Sequence, residues 1–293
     1  MIKKLLVTGA SGFLGWNVCR AASRKYSVIG VRNNHDADLP GVTFVKCDLT
    51  QYTSLKALFQ TTRPDAVIHC AAISSPNTCQ QHTSEAYKVN VTLSSSIAGL
   101  CSERDIPLVF TSSDMVFDGT EAPYDEGGIV CPVNVYGQQK VAAELEMQVR
   151  HEQLAICRLP LMYGDVPACA TSFIQPWIKQ IRAGEKISLF KDEIRTVVSA
   201  SDAAAGLIIA LERARGIIHL GGKERVSRYD FGLKLIDAMG LSSEVAAPIS
   251  QKDIKMSAPR PADVSLNSSK AFSIGYSPGL IKEELLKLNC IKG

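Results

Sequence analysis

Short apolar runs alternate with longer amphipathic stretches through the first two thirds of the chain, and this rhythm restricts the fold more than any other feature. KKLLVTGA (3–10), YSVIGVR (26–32), VTFVKCD (42–48), DAVIHCAA (65–72), PLVFTSS (107–113) and LAICRLP (154–160) have the length and composition of strands. Residues 11–23, 54–60, 84–102 and 135–151 have helical length and spacing. Such alternation predicts βαβ units with right-handed crossovers. The expected class is therefore α/β, a doubly wound parallel sheet with its ligand crevice at the carboxyl ends of the strands.

After Gly164 the rhythm changes. Residues 166–186 and 224–240 are expected to be helices, Pro259–Pro261 lies in a loop-like tail, and Gly216–Gly222 has strand character and is expected to rejoin the sheet. The expected organisation is a dinucleotide-binding domain over 1–165, joined by roughly 195–222. A small discontinuous C-terminal substrate lobe is expected over 166–194 and 223–293.

Composition narrows the function. The 293 residues are 46% apolar and 21% charged, an ordinary globular balance with room for a proper core. The net charge is +3 and no Lys/Arg run exceeds two residues, so neither nucleic acid nor membrane is an expected partner. The longest apolar stretch, Ala203–Leu211, has nine residues, well short of the roughly 20 that span a bilayer. MIKKLLVTGA is too short for a signal-peptide core, and a cytoplasmic location is expected. Nine scattered cysteines without C-x-x-C spacing predict neither a disulfide framework nor a metal site, but mostly small core hydrophobes.

The first strand runs into Thr8-Gly9-Ala10-Ser11-Gly12-Phe13-Leu14-Gly15, a G-x-x-G-x-x-G series that opens directly onto a helix. Glycines permit the tight turn and a close backbone approach, and free amides at a helix N-terminus favour a pyrophosphate. By itself the series indicates a nucleotide and not a reaction. An NAD site commonly places a carboxylate about 20 residues beyond the glycines. Here the second strand ends instead in Arg32-Asn33. Two readings of Arg32 stand: a partner for the 2′-phosphate of NADP(H), which is favoured, or a solvated surface arginine. Asp36 and Asp38 keep NAD(H) open. Asp48-Leu49 could meet the adenine amino group, or Asp48 could cap a helix.

Tyr136 and Lys140 stand four apart in an expected helix and share one face. A phenol near pKa 10 is a poor catalyst at neutral pH, and an adjacent cation is expected to lower it. The same spacing also describes an ordinary exposed helix face. Upstream, Thr111-Ser112-Ser113-Asp114 places hydroxyls where a parallel strand would end at the crevice, able to hydrogen-bond a carbonyl.

With the glycine loop, the strand-end hydroxyls and the Y-x-x-x-K pair together, the chain resembles the extended short-chain dehydrogenase/reductases, whose fold is the Rossmann type. SSDMVFDGT (112–120), PYDE (123–126), PVNVYGQQK (132–140) and RPADVSLNSSK (260–270) are similar to the dTDP-4-dehydrorhamnose reductase-like branch. The resemblance implies an NAD(P)H-dependent reductase of a keto group on a nucleotide-activated sugar. Ser113 would bind the carbonyl, Tyr136 supply the proton and Lys140 support it. It also implies cofactor positions at Cys70-Ala71-Ala72 and at Asn90, the family's structural asparagine, and substrate positions at Met115, Arg195 and Arg260.

The two arginines fall where similar enzymes bind a diphosphate, although a lone arginine is usually a surface group. Met115 stands where the branch commonly has tyrosine and Ser113 where it has threonine, which leaves the sugar open. His69 is expected to be a satisfied core histidine, Asp114 and Asp118 to stabilise a turn, and Trp16 and Trp177 to pack. Two rivals remain: a nucleotide-sugar epimerase or dehydratase, and a non-catalytic regulatory subunit resembling the methionine adenosyltransferase beta subunit. The expected partner is a small molecule, with a homodimer allowed.

Overall fold

The computed structural model describes residues 2–291. The first half of the fold runs β1 (Lys4–Thr8), α1 (Phe13–Ala22), β2 (Ser27–Arg32), β3 (Val42–Lys46), α2 (Tyr52–Thr62), β4 (Ala66–His69), α3 (Pro76–Gln81) and α4 (Thr83–Tyr87). A π-helical turn at Lys88–Thr92 leads into α5 (Leu93–Ser102), β5 (Leu108–Ser113), α6 (Val135–Arg150), β6 (Leu154–Leu159) and β7 (Met162–Tyr163). Next come α7 (Ile174–Arg182), β8 (Ile187–Phe190), β9 (Ile194–Arg195), β10 (Val198–Ser199), α8 (Ala200–Arg213) and β11 (Gly216–His219). The chain ends with β12 (Val226–Ser227), α9 (Arg228–Ala238), β13 (Ala246–Ile249), α10 (Ser269–Ser273) and α11 (Ile281–Leu285).

Seven strands form one parallel sheet in the order β11-β6-β5-β4-β1-β2-β3. Strand order reverses between β1 and β4, and such a switch point opens a crevice at the carboxyl ends. Alternation along each strand divides the core into two layers. Leu5, Val7, Ile68, Val109, Ala155 and Cys157 face α1 and α8, with Val18, Cys19, Ala203 and Leu207. Leu6, Val67, Leu108, Phe110 and Ile156 face α2, α5 and α6, with Phe59, Ile97, Ala143 and Met147. Burial on both faces explains why these strands read as continuous apolar runs.

The expected 166–186 helix is shorter in the structure: only Ile174–Arg182 is helical. Pro176 belongs in a first helical turn, where its missing N–H leaves no bond broken. The segment before it is held irregular by long-range bonds. Asn17 Nδ2 donates to Asp165 O at 3.2 Å, Cys169 Sγ to Ser11 O at 3.3 Å and Gln175 Nε2 to Gly164 O at 2.9 Å. The expected 224–240 helix likewise begins later, at Arg228, because Val226–Ser227 pairs with β9 and Ser227 and Asp230 form a capping box. Helices α7, α9 and α11 gather a separate apolar cluster around Tyr163, Ile178, Phe231 and Leu285, and β8 and β13 pair beside it.

Candidate active site

The glycine loop joins β1 to α1. Gly9 has φ +66°, and a Cβ there would stand 2.8 Å from Ala71 Cα. At Gly15 a Cβ would come within 2.2 Å of Gly9 O, so only glycine lets the helix pass this close. No side chain caps α1 at Gly12, and its first turn holds no acid. The helix end therefore presents amide donors and partial positive charge. Gly9, Gly12, Phe13, Leu14 and Gly15 line a cleft of about 450 Å³. Ser11 stands in the same loop, with its carbonyl engaged by Cys169.

Ala10 N donates to Val31 O at 3.0 Å and so fastens the loop to the end of β2, which carries Arg32 and the exposed Asn33. Arg32 Nη1 lies 2.5 Å from Asp36 Oδ1, yet its buried Nε has no hydrogen-bond partner among the described residues. A buried, orphaned donor calls for an acceptor that a ligand can supply. This is the observation by which the residues fit an adenosine 2′-phosphate.

Asp48 takes a local role: its Oδ1 accepts from Thr50 N and Thr50 Oγ1 at 3.0 and 2.7 Å, and these bonds hold its carboxyl below the usual range. These bonds form an Asx turn, and the alternative reading of Asp48 as a helix cap does not hold, since Gln51 precedes α2. Leu49 packs into the core layer under α2.

Thr8 Oγ1 accepts from Cys70 N and Ala71 N at 3.1 and 3.2 Å, which draws the end of β4 against the glycine loop. Cys70 and Ala72 line the cleft, and Ala71 is the residue Gly9 touches. His69 is fully buried between Thr8 and Ser94, and burial pushes its imidazole down to about 3, so it is a neutral core histidine. The cofactor contact expected at Asn90 is corrected. Its Oδ1 accepts from Ile73 N at 2.9 Å and its Nδ2 donates to Ile73 O and Gln139 Oε1 at 3.0 and 2.9 Å. Asn90 is wholly buried, and the π-helical turn aims it between the cleft-side loop and α6. It therefore positions the neighbour of Lys140 and is not among the residues that line the cleft.

Ser113, Tyr136 and Lys140 line one cleft, so the three groups expected from the sequence come together. Asn134 caps α6 by accepting from Gly137 N at 3.0 Å. Gly137 then lets the helix press on the exit of β5, because a Cβ there would be 2.1 Å from Met115 O. Lys140 is 2% exposed; its Nζ donates to Thr111 O at 2.8 Å and stands 4.7 Å from the Phe110 ring centroid and 5.8 Å from that of Tyr136.

The expected lowering of the phenol by this cation is corrected. Burial raises Tyr136 well above its ordinary value, partly offset by the Ser113 hydroxyl, and the Asp114 carboxyl raises it further. Desolvation outweighs the cation at this distance. A phenol that keeps its proton suits donation to a developing alkoxide, the direction of reduction. The same burial brings Lys140 down to about 8, with the ammonium form present below that value and lost above it. Reductive turnover is therefore expected to fall as pH rises through about 8, with loss of the positive charge beside the phenol. A pH–rate profile that stays level from about pH 7 to about pH 10 would contradict this role for Lys140.

The buried stripe on α6 continues one turn past Lys140 to Glu144, which the sequence reading overlooked. Glu144 pairs with Arg158, Nη2 to Oε2 at 2.7 Å and Nε to Oε1 at 3.1 Å, and accepts from Ser112 Oγ. Both members are almost fully buried, so the pair locks α6 to the ends of β5 and β6. An arginine inside the apolar run LAICRLP was the available signal.

At the other end of the cleft, Asp114 follows Ser113. Ser113 Oγ donates to Asp114 Oδ1 at 3.1 Å, and burial raises this carboxyl to about 6 despite Arg195. Met115 lines the cleft with its Sδ 3.9 Å from Arg195 Nη2. Arg195, expected at the substrate end, lines the cleft there. It is 2% exposed, Nη1 donates to Ile194 O at 2.6 Å, Nη2 donates to Pro261 O at 3.2 Å, and Nε stands 3.4 Å from Asp114 Oδ2. A guanidinium so held braces the Arg260–Asp263 segment against the strand end, and it lines the cleft beside Met115. Arg260 lines the cleft, with Nη1 on Ala258 O at 2.7 Å and Nη2 on Asn77 Oδ1 at 3.0 Å. Glu193 and Arg228 also line this end and were not anticipated.

A doubly wound sheet, an uncapped glycine-loop helix and a Ser/Tyr/Lys group at the switch-point cleft together define a short-chain dehydrogenase/reductase type of protein. Within that class the chain belongs to the RmlD substrate binding domain family, which it matches over residues 3–285. It is 30% identical over 281 residues to methionine adenosyltransferase 2 subunit beta of Xenopus laevis, covering 93% of this chain and 83% of the relative. It is 28% identical over 290 residues to "Probable low-salt glycan biosynthesis reductase Agl14" of Haloferax volcanii, covering 96% of each. The fold superposes with TM-score 0.86 on dTDP-4-dehydrorhamnose reductase from Bacillus anthracis in complex with NADP, at 22% identity and covering 97% of this chain and 98% of that one. Among the described residues no helix is long and apolar enough to cross a membrane, and no group of three His, Cys, Asp or Glu could hold a metal ion.

Proposed function

We propose that the protein reduces a keto group on a nucleotide-activated sugar, with NADP(H) as the favoured nicotinamide cofactor. The observation that carries this reading is the convergence of Ser113, Tyr136 and Lys140 in the cleft that begins at the uncapped end of α1. The amides of the glycine loop would hold the cofactor's pyrophosphate, and Arg32 Nε with its neighbouring Asn33 would meet the 2′-phosphate. When bound, the nicotinamide supplies the hydride that reduces the carbonyl carbon.

Ser113 Oγ polarises the carbonyl oxygen, and Tyr136 Oη transfers its proton to that oxygen as negative charge develops there. Lys140, anchored on Thr111 O, stabilises the tyrosinate left behind. Residues 166–194 and 223–293 serve as the substrate-binding lobe. The test is NADPH oxidation across a panel of dTDP-, UDP- and GDP-linked keto sugars, where at least one substrate-dependent rate is expected. A silent panel would overturn the reading.

A second reading, a regulatory subunit that retains the cofactor fold, draws support from the 30% identity to the methionine adenosyltransferase subunit. It predicts cofactor binding without turnover, together with a stable complex with a catalytic partner.

A further inference from the structure

Among the described residues, every helix or helical turn that a side chain caps is capped by a serine, with one exception: α6 is capped by Asn134. Serine and asparagine cap about equally well, because either supplies the acceptor that a helix start needs. Asparagine adds a separate donor. Asn134 is 2% exposed and uses both ends: Oδ1 accepts from Gly137 N at 3.0 Å, and Nδ2 donates to Pro259 O at 2.9 Å. The second bond runs to a segment 125 residues further along the chain.

That segment, 255–261, is a strap with no backbone–backbone hydrogen bond of its own among the described residues. Pro259 and Pro261 have no N–H to offer a ladder. Side chains of other elements fasten it instead. From α3, Asn77 Oδ1 accepts from Ala258 N at 3.3 Å and from Arg260 Nη2 at 3.0 Å, and Gln81 Nε2 donates to Ser257 Oγ at 3.2 Å. From β9, Arg195 Nη2 donates to Pro261 O at 3.2 Å. Gln80 Oε1 of α3 accepts from Val135 N at 3.4 Å, so α3, the strap and the start of α6 meet at Asn134 and Val135. Pro76 of α3 and Arg260 of the strap line the same cleft as Tyr136. A segment held by side chains alone is the kind that opens locally while the sheet stays folded.

We propose that Asn134 is a positioning residue that latches this strap to the first turn of α6, so that the part of the cleft wall carried by the strap is held in register with Tyr136; its bearing on substrate rests on the reductase reading above. With the latch made, the strap and the phenol share one anchor. With the latch cut, the cap on Gly137 N survives and Tyr136 keeps its place, so the loss falls on substrate affinity and not on proton donation.

The test separates the two bonds of one side chain. Asn134→Ser keeps the capping acceptor and lacks the reach to Pro259 O, and Asn134→Asp keeps the acceptor and has no donor. In both variants, saturated with NADPH, hydrogen–deuterium exchange across 255–260 is expected to quicken about 3- to 10-fold, the scale of one lost hydrogen bond, with the sheet amides unchanged. On a keto sugar that the panel shows to be turned over, KM should rise by a similar factor, with a smaller change in kcat and none in NADPH affinity. A residue that only caps α6 gives parent-like exchange and KM in both, since serine and aspartate cap as well as asparagine. Parent-like exchange across 255–260 in the folded variants would overturn the proposal, as would a parent-like sugar KM where turnover is measured. Exchange needs no substrate: a silent panel with a quickened strap removes the reductase reading and leaves the latch standing, and turnover with an unchanged strap does the opposite.

Discussion

Replacing Tyr136 with phenylalanine is expected to lower kcat about 10²- to 10⁴-fold, the range that a positioned general acid contributes, while cofactor affinity stays nearly unchanged. The side chain is 8% exposed, and the substitution removes one hydroxyl without opening a cavity, so the fold should persist. Loss of rate without loss of cofactor binding separates proton donation from a packing role. Steady-state kinetics beside an NADPH titration reads both quantities, and retained turnover would take Tyr136 out of the mechanism.

Gly137→Ala should be nearly as damaging for a different reason. The added Cβ would meet Met115 O at 2.1 Å and Pro132 Cβ at 2.8 Å, and the first neighbour is backbone. Either α6 or the Met115 turn must move, and overpacking of this kind costs about 1–3 kcal/mol. A fall in Tm of roughly 3–10 °C is expected for a chain of this size. Because Tyr136 and Lys140 ride on the same helix as the displaced residue, turnover should fall by more than the stability loss alone explains. A variant that melts and turns over like the parent would show that α6 does not register on this contact.

The parallel sheet, the glycine turn and the Tyr136/Lys140 pair were legible because each is written in short-range pattern: apolar runs, glycines at fixed spacing, and two residues one helical turn apart. What escaped depends on partners far away in the chain. Asn90 looked like a cofactor position, yet its bonds run to Ile73 and to Gln139, 49 residues on. Arg195 and Arg228 could not be ranked by spacing. Antiparallel pairing of β9 with β12 brings both to the same end of the cleft, where Glu193 Oε1 lies 3.4 Å from Arg195 Nη2 and 3.6 Å from Arg228 Nη1. The irregular segment before α7 was hidden for the same reason, although Pro176 marked where the helix had to begin. Arg228 carried one local sign that was passed over, a cation at the dipole-disfavoured end of a capped helix.

The phenol shows how burial reorders a sequence argument. Side by side on a helix, Tyr136 and Lys140 suggested a lowered phenol, but the same packing that joins them removes water, and desolvation dominates. The site is accordingly arranged to give a proton, not to take one.

The most direct measurement follows the hydride. With NADPH carrying deuterium at both C4 positions of the nicotinamide and a keto sugar that the panel shows to be turned over, the account predicts one deuterium on the former carbonyl carbon, found by mass spectrometry and lost with Tyr136→Phe. A reduced product without deuterium, or a sugar altered with no NADPH consumed, would contradict it.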